Sequence, residues 1–203
     1  EVRDLGVEYR LGGGWLGPGT RRLHALRDVD LVVPEGRSVG IVGESGCGKS
    51  TLARAILGLA RPSAGEIRWR GWTVDGADRT RMREMRCGLQ VVFQDPFGSL
   101  DPRMTAGDSV REALDALEAT GAAGESRPRV EAALVEVGLD AGFVGRYPHE
   151  LSGGQCQRVA IARATVVRPR LLICDEAVSA LDVSVQAQIV NLLHDLSRRH
   201  GMA

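Results

Sequence analysis

Lysine is all but missing from this chain: of the 26 basic side chains among its 203 residues, Lys49 is the only lysine. An excess of charge of either sign is missing too, because 26 acidic residues balance the 26 basic ones. No basic stripe of the kind that gives affinity for phosphate backbones is present, which argues against a nucleic-acid partner. Long apolar runs are absent as well: none reaches the roughly 20 residues that span a bilayer, and Glu1-Val2-Arg3-Asp4 does not read as a signal peptide. A soluble, cytoplasmic chain is the expectation. The four cysteines, Cys47, Cys87, Cys156 and Cys174, are widely spaced, with no C-x-x-C and no histidine at zinc-site spacing. They indicate neither a disulfide framework nor a metal centre, and are read as reduced, structural thiols. The length suits one well-buried core or a large domain with a smaller lobe, not two independent domains.

Residues 2–9 and 28–33 mix apolar and polar residues in rough alternation around the glycine-rich stretches Gly12-Gly13-Gly14 and Gly17-Pro18-Gly19, which predicts antiparallel strands joined by a loop. Ser38–Val42 reads as a buried strand, Ser50–Leu59 as a helix, Glu66–Arg70 as a strand and Leu89–Phe93 as another apolar strand. Thr105–Ala119 and Arg129–Val137 have helical spacing, with Gly121–Pro128 as a polar linker, so residues 95–150 are expected to form a helical lobe. Ser152 is placed to cap a helix running to Val167, Pro169 ends that helix, and Leu171–Cys174 reads as a compact buried strand. A last amphipathic helix spans Val183 to His200, and Gly201 stops it. Gly201 would also turn the chain toward a further strand, so the expectation is of a single domain, 1–203, that is incomplete at its C-terminus.

Chemistry concentrates at three places. Gly43-Glu44-Ser45-Gly46-Cys47-Gly48-Lys49-Ser50-Thr51 fits G-x-x-x-x-G-K-[ST] between a predicted strand and a predicted helix. There the glycines let backbone N–H groups curl around a β-phosphate, the helix start adds its positive dipole end, Lys49 reaches the β- and γ-phosphates and the Ser50 hydroxyl ligates Mg²⁺. The lone lysine falls where a compact ammonium fits and a planar guanidinium does not. Leu171-Leu172-Ile173-Cys174 delivers Asp175 and Glu176 at the end of a strand, with Asp175 a Mg²⁺ ligand and Glu176 the base that activates water. Third, Leu151-Ser152-Gly153-Gly154-Gln155 is a helix start whose first amides can meet an anion.

In this order the three motifs resemble the ABC ATPases, over essentially the whole chain, with Leu151–Gln155 as their signature. The resemblance implies an α/β P-loop NTPase with a RecA-like core, an antiparallel β subdomain and a helical subdomain, binding ATP with Mg²⁺ and hydrolysing it. It casts Gln94 as the glutamine that touches Mg²⁺ and couples to a membrane subunit. Ser179-Ala180-Leu181-Asp182 takes the part of the loop leading to the partner cassette, and Tyr9 is either the aromatic that stacks on adenine or an ordinary strand tyrosine. Phe93–Thr105, Tyr147–Leu151 and Leu181–Gln188 are similar to the ATPases of oligopeptide, dipeptide and nickel importers, most like the second of their two ATPase subunits. Transmembrane permease subunits, a second ATPase subunit in a heterodimer or homodimer, and indirectly a solute-binding protein are the implied partners, at the cytoplasmic face of the membrane.

Departures from that pattern are Cys156 where arginine is usual, Ala177 where proline is common, and no counterpart of the family's switch histidine, since His194 and His200 fall on the last helix and read as solvated. A soluble ABC ATPase acting on DNA or ribosomes is a rival reading, and a catalytically impaired nucleotide sensor another. The roughly 100 residues between Gly48 and Ser152 leave no room for a long coiled-coil insertion, and retention of Asp175 and Glu176 speaks against decay. Arg79, Arg81, Arg83 and Arg86 read as a solvated helix face, and Trp15, Trp69 and Trp72 as packing or loop residues.

Overall fold

A computed structural model describes residues 1–11, 21–74, 78–117, 126–179 and 181–203, with the side chains of 10, 11, 21 and 117 left aside. Trp15, the two glycine-rich stretches, Ala180 and most of the Gly121–Pro128 stretch lie outside the described residues. The chain divides into two compact units, one made of Glu1–Pro34 and Ser38–Met82, the other of Glu35–Arg37 and Arg83–Ala203.

The first unit carries strands β1 (Val2–Leu11), β2 (Arg21–Leu31), β3 (Ala64–Trp69) and β4 (Trp72–Thr73), with helix α1 (Lys49–Ile56). Their sheet runs β2-β1-β3-β4 and its paired strands are antiparallel. The expected antiparallel pair is present, but its second strand runs from Arg21 to Leu31 rather than over 28–33; Leu5 lies opposite Val29 and Val7 opposite Leu26. Val2, Leu5, Val7, Leu26 and Ile67 lie in a core that α1 closes with Leu52 and Ala55, a register shift between Val2 and Leu5 bringing both to it. Helix α2 (Arg79–Gly88) leads out of this unit. Its arginines at 79, 81, 83 and 86 are exposed, as the reading of a solvated face expects, and Met85 is buried.

Ser38–Val42 does not behave as predicted. It joins neither of the two sheets among the described residues, and Val39, Ile41 and Val42 are 44%, 49% and 98% exposed. Apolarity makes a segment fit for a sheet, but a strand exists only where another strand completes its hydrogen bonds, and that partner is not written in the segment itself.

The second unit is built around helix α5 (Gly153–Thr165), eight of whose residues are buried. Strands β5 (Leu89–Val92) and β6 (Leu171–Cys174) form a parallel pair in register from Leu89 opposite Leu171 to Val92 opposite Cys174. Helices α3 (Ala106–Leu117) and α4 (Ser126–Glu136), two short 3₁₀ turns at Ala141–Gly145 and Pro148–Glu150, and helix α6 (Val183–His200) complete it. Ser126–Pro128, predicted as linker, is already the first turn of α4. One continuous core joins Val92, Val110, Leu134, Val159, Ile161, Ile189 and Leu196.

Two further corrections concern this unit. β6 is only half-buried and Cys174 is exposed, and among the described residues one strand, β5, pairs along its length. The other edge has just begun to pair: Ala203 N donates to Arg170 O at 2.8 Å and Leu172 N donates to Ala203 O at 2.9 Å. His200 is not solvated. Its Nε2 lies 2.7 Å from Glu136 Oε1, tying the end of α6 to the end of α4, whereas His194 is exposed as expected.

Candidate nucleotide site

In the first unit the turn before α1 owes its shape to glycine. Gly48 caps α1 with φ 104°, a conformation that L side chains avoid, and a Cβ there would lie 2.7 Å from Leu26 Cδ2 and 2.8 Å from Ala25 O. A Cβ on Gly43 would meet Cys47 Sγ at 2.6 Å. Glycine at 43 and 48 thus lets the loop close tightly on itself and on β2. Lys49 Nζ turns back into that loop, donating to Gly43 O at 2.8 Å and Glu44 O at 2.9 Å, with Cys47 Sγ at 3.9 Å. The ammonium is held by neutral acceptors. Gly43–Cys47 are exposed, Gly48–Thr51 half-buried. An exposed loop with its cation pointing inward, followed at once by a helix start, fits an anionic phosphate. Tyr9 sits on β1 opposite Leu23 and packs against the core of the same unit.

The second unit carries the remaining predicted residues. Asp175 and Glu176 follow β6 in a bend, so their different settings do not come from alternation along the strand. Asp175 is half-buried and its N–H donates to Val92 O at 3.0 Å, while Glu176 is exposed with φ 50°. A non-glycine residue in that region is uncommon and costs about 1–3 kcal/mol, so the bend holds the Glu176 backbone against its own preference. Ser179 Oγ and Ser179 N both donate to Glu176 O, at 3.0 Å each, and brace the bend.

At the start of α5, Ser152 is extended (φ −72°, ψ 162°), its Oγ accepts from Gln155 N at 3.3 Å and Gln155 Oε1 accepts from Ser152 N at 2.9 Å. This reciprocal box satisfies two donors and leaves the Gly153 and Gly154 amides, which by helix geometry have no partner within the helix. Gly154 is small for a packing reason: a Cβ there would lie 2.8 Å from Val185 Cγ1 at the start of α6. Asp182 caps α6 through its backbone, accepting from Val185 N and Gln186 N at 2.9 Å each, and its side chain makes no cap bond. Cys156 is fully buried, its Sγ 3.6 Å from Pro148 O, and burial pushes its thiol pKa up. Gln94 is exposed just before a turn in which Asp95 Oδ1 accepts from Phe97 N at 3.0 Å.

Sequence reasoning passed over Arg163 and Phe97. Arg163 Nη1 donates to Ser99 O at 2.6 Å, and burial lowers the pKa of its guanidinium, opposed by the charge of Glu112. Phe97 lies close to Gly153, where a Cβ would be 3.6 Å from its Cε2. The only signal in the sequence was the placement of an arginine in a helix whose neighbours are apolar.

Comparison with known proteins agrees with these motifs. Residues 26–179 match the family model described as ABC transporter. The oligopeptide transport ATP-binding protein OppF of Salmonella typhimurium is 47% identical over 205 residues, covering 100% of this chain and 61% of its own length. The glutathione import ATP-binding protein GsiA of Salmonella paratyphi A is 44% identical, over 100% of this chain and 32% of its own length. Among solved structures, a dimeric ATP-binding cassette in a post-hydrolysis state, bound to ADP and Pi, superposes with a TM-score of 0.82 at 31% identity, over 98% of this chain and 83% of that one. The chain spans about three fifths of the length of its OppF relatives, 61%. Its fold is the P-loop α/β type of those cassettes. With the family model covering most of its length, the chain belongs to the ABC transporter family.

Proposed function

We propose that the chain is the ATP-binding and hydrolysing cassette of an importer for peptides or related solutes, working beneath partner permease subunits at the cytoplasmic face of the membrane. The observation that carries this reading is the loop at Gly43–Lys49, closed by glycine and holding the chain's single ammonium against neutral carbonyls. Relatives named for oligopeptide transport and glutathione import support the solute class. Residues 1–203 act as one nucleotide-binding domain, within which 95–150 form the helical part.

Each candidate residue then has a task. Lys49 leaves the Gly43 and Glu44 carbonyls for the β- and γ-phosphates of ATP, trading neutral acceptors for charged ones. Glu44, Ser45, Gly46, Cys47, Gly48 and Thr51 supply the turn and the amides around the phosphate, and Tyr9 offers its ring to the adenine. Ser50 of the first unit, and Asp175 and Gln94 of the second, are the residues that would ligate Mg²⁺, which would neutralise charge on the phosphates. Glu176, presented by its strained bend, accepts a proton from the attacking water. Ser152, Gly153, Gly154 and Gln155 face the γ-phosphate held by a second cassette, with Asp182 at the same junction.

Substitution separates binding from chemistry. Lys49→Ala should weaken binding of a fluorescent ATP analogue at least ten-fold, and equal affinity with equal magnesium dependence would sink the assignment. Glu176→Gln should bind as well as the parent and hydrolyse at least 100-fold more slowly, because an amide keeps the shape but does not take the proton. Hydrolysis at the parent rate would remove Glu176 from the role of base.

A further inference from the structure

The residues between Gln94 and Leu100 form a turn bonded to itself. Asp95 Oδ1 accepts from Phe97 N, Asp95 O accepts from Ser99 N, Pro96 O accepts from Ser99 Oγ, and Phe97 O accepts from Leu100 N. Gly98 packs against the Asp95 carboxylate so closely that a Cβ would lie 2.5 Å from Oδ2. Such a turn moves as a piece, and Gln94 immediately precedes it in the chain.

That piece is attached to α5 at two places. Phe97 lies over Gly153, at the first residue of the helix, and Ser99 O takes the Arg163 Nη1 hydrogen bond ten residues further on. Ten residues of helix are about 15 Å, so the two attachments resist rotation of the turn as well as sliding. Leu100 anchors the far end, buried to 4% in the core that α5 organises. Keeping a guanidinium in a setting that penalises its charge needs a return, and a short, charge-assisted bond to a carbonyl is the one the structure shows. Arg158, on the same helix, differs: it reaches Val137 O, just past the end of α4, and Gln188 Oε1 on α6, away from the turn.

We propose that Arg163 is a positioning residue which, with Phe97, locks the Gln94 turn to the helix whose start carries Ser152 and the Gly153 and Gly154 amides. Gln94 and the anion-facing helix start are thereby moved together, and neither touches substrate through Arg163 itself. The proposal rests on the reading of the chain as an ABC ATPase.

The test uses the natural full-length protein with Mg-ATP. Arg163→Met and, separately, the exposed Phe97→Ala should each lower kcat at least ten-fold while nucleotide affinity stays within two-fold, and the double variant should lose no more than the larger single loss. Amide exchange at 97–100 and 153–155 should quicken together in either variant. Arg158→Met serves as the control for packing, lowering the melting temperature without the selective loss of kcat. The proposal is overturned if both variants keep kcat within two-fold, or if Arg158→Met reproduces their kcat loss, or if kcat and affinity fall in step. Should Arg163→Met fail to fold, Phe97→Ala decides on the same two readouts. A parent protein that hydrolyses no ATP would instead refute the ATPase reading, and the linkage with it.

Discussion

At the scale of single residues, what matters most is where a side chain is not allowed. Gly154 can be replaced only by pushing Val185 away, since the two would meet at 2.8 Å. Overpacking of this kind costs about 1–3 kcal/mol. Gly154→Ala should therefore lower the melting temperature by roughly 2–12 °C at about 2–4 °C per kcal/mol. Adding Val185→Ala should recover most of that loss, and a melting scan of the three variants checks it. If the double variant melts no higher than the single one, crowding at Val185 is not why position 154 is glycine. Cys156 makes a second, pH-dependent statement. Burial raises its thiol pKa above that of the unfolded chain, so the neutral form is the one folding favours. The contribution is complete below the ordinary thiol range near pH 8.5 and is lost as pH climbs through the raised value. Denaturant midpoints should fall as pH rises above about 8.5, and Cys156→Ala should flatten part of that slope. An unchanged slope would refute the assignment.

Among elements, legibility in the sequence followed locality. The Ser152–Gln155 box, the α5 and α6 spans and the β1–β2 pair were readable because caps, periodicity and alternation act within a few residues. Ser38–Val42 was misread because a strand depends on a partner that its own residues do not specify. The His200–Glu136 and Arg163–Ser99 contacts each join residues 64 apart, a separation at which side-chain type alone says nothing. The free edge of β6 yields the test at this scale. Ala203 already makes two ladder bonds there, in the pattern a parallel neighbour would continue, and Met202 beside it is buried. Removing Met202 and Ala203 should strip both bonds from β6 and lower the melting temperature. An unchanged melting temperature would show that this pairing adds nothing to stability.

For the molecule as a whole, each unit has its own buried core, and the predicted site residues are shared between them: the Lys49 loop belongs to the first, and Gln94, Ser152, Asp175 and Glu176 to the second. No described helix is long and apolar enough to cross a membrane. The Gly153 and Gly154 amides stand in the first turn of α5, where an N–H has no partner within the helix. We expect a related but distinct ATPase to co-purify when the surrounding genes are expressed together. Recovery of homodimers alone would count against the paired-subunit assignment.

Lys49 being the only lysine has a practical sequel. Amine-directed reagents have a single side-chain address on residues 1–203, and in the structure that address is already engaged by two carbonyls. Acylation of one ε-amine, followed by intact-mass spectrometry, then becomes a one-line occupancy gauge: the fraction labelled reports how often the ammonium leaves its loop, and a ligand that captures it should shield it in proportion to saturation.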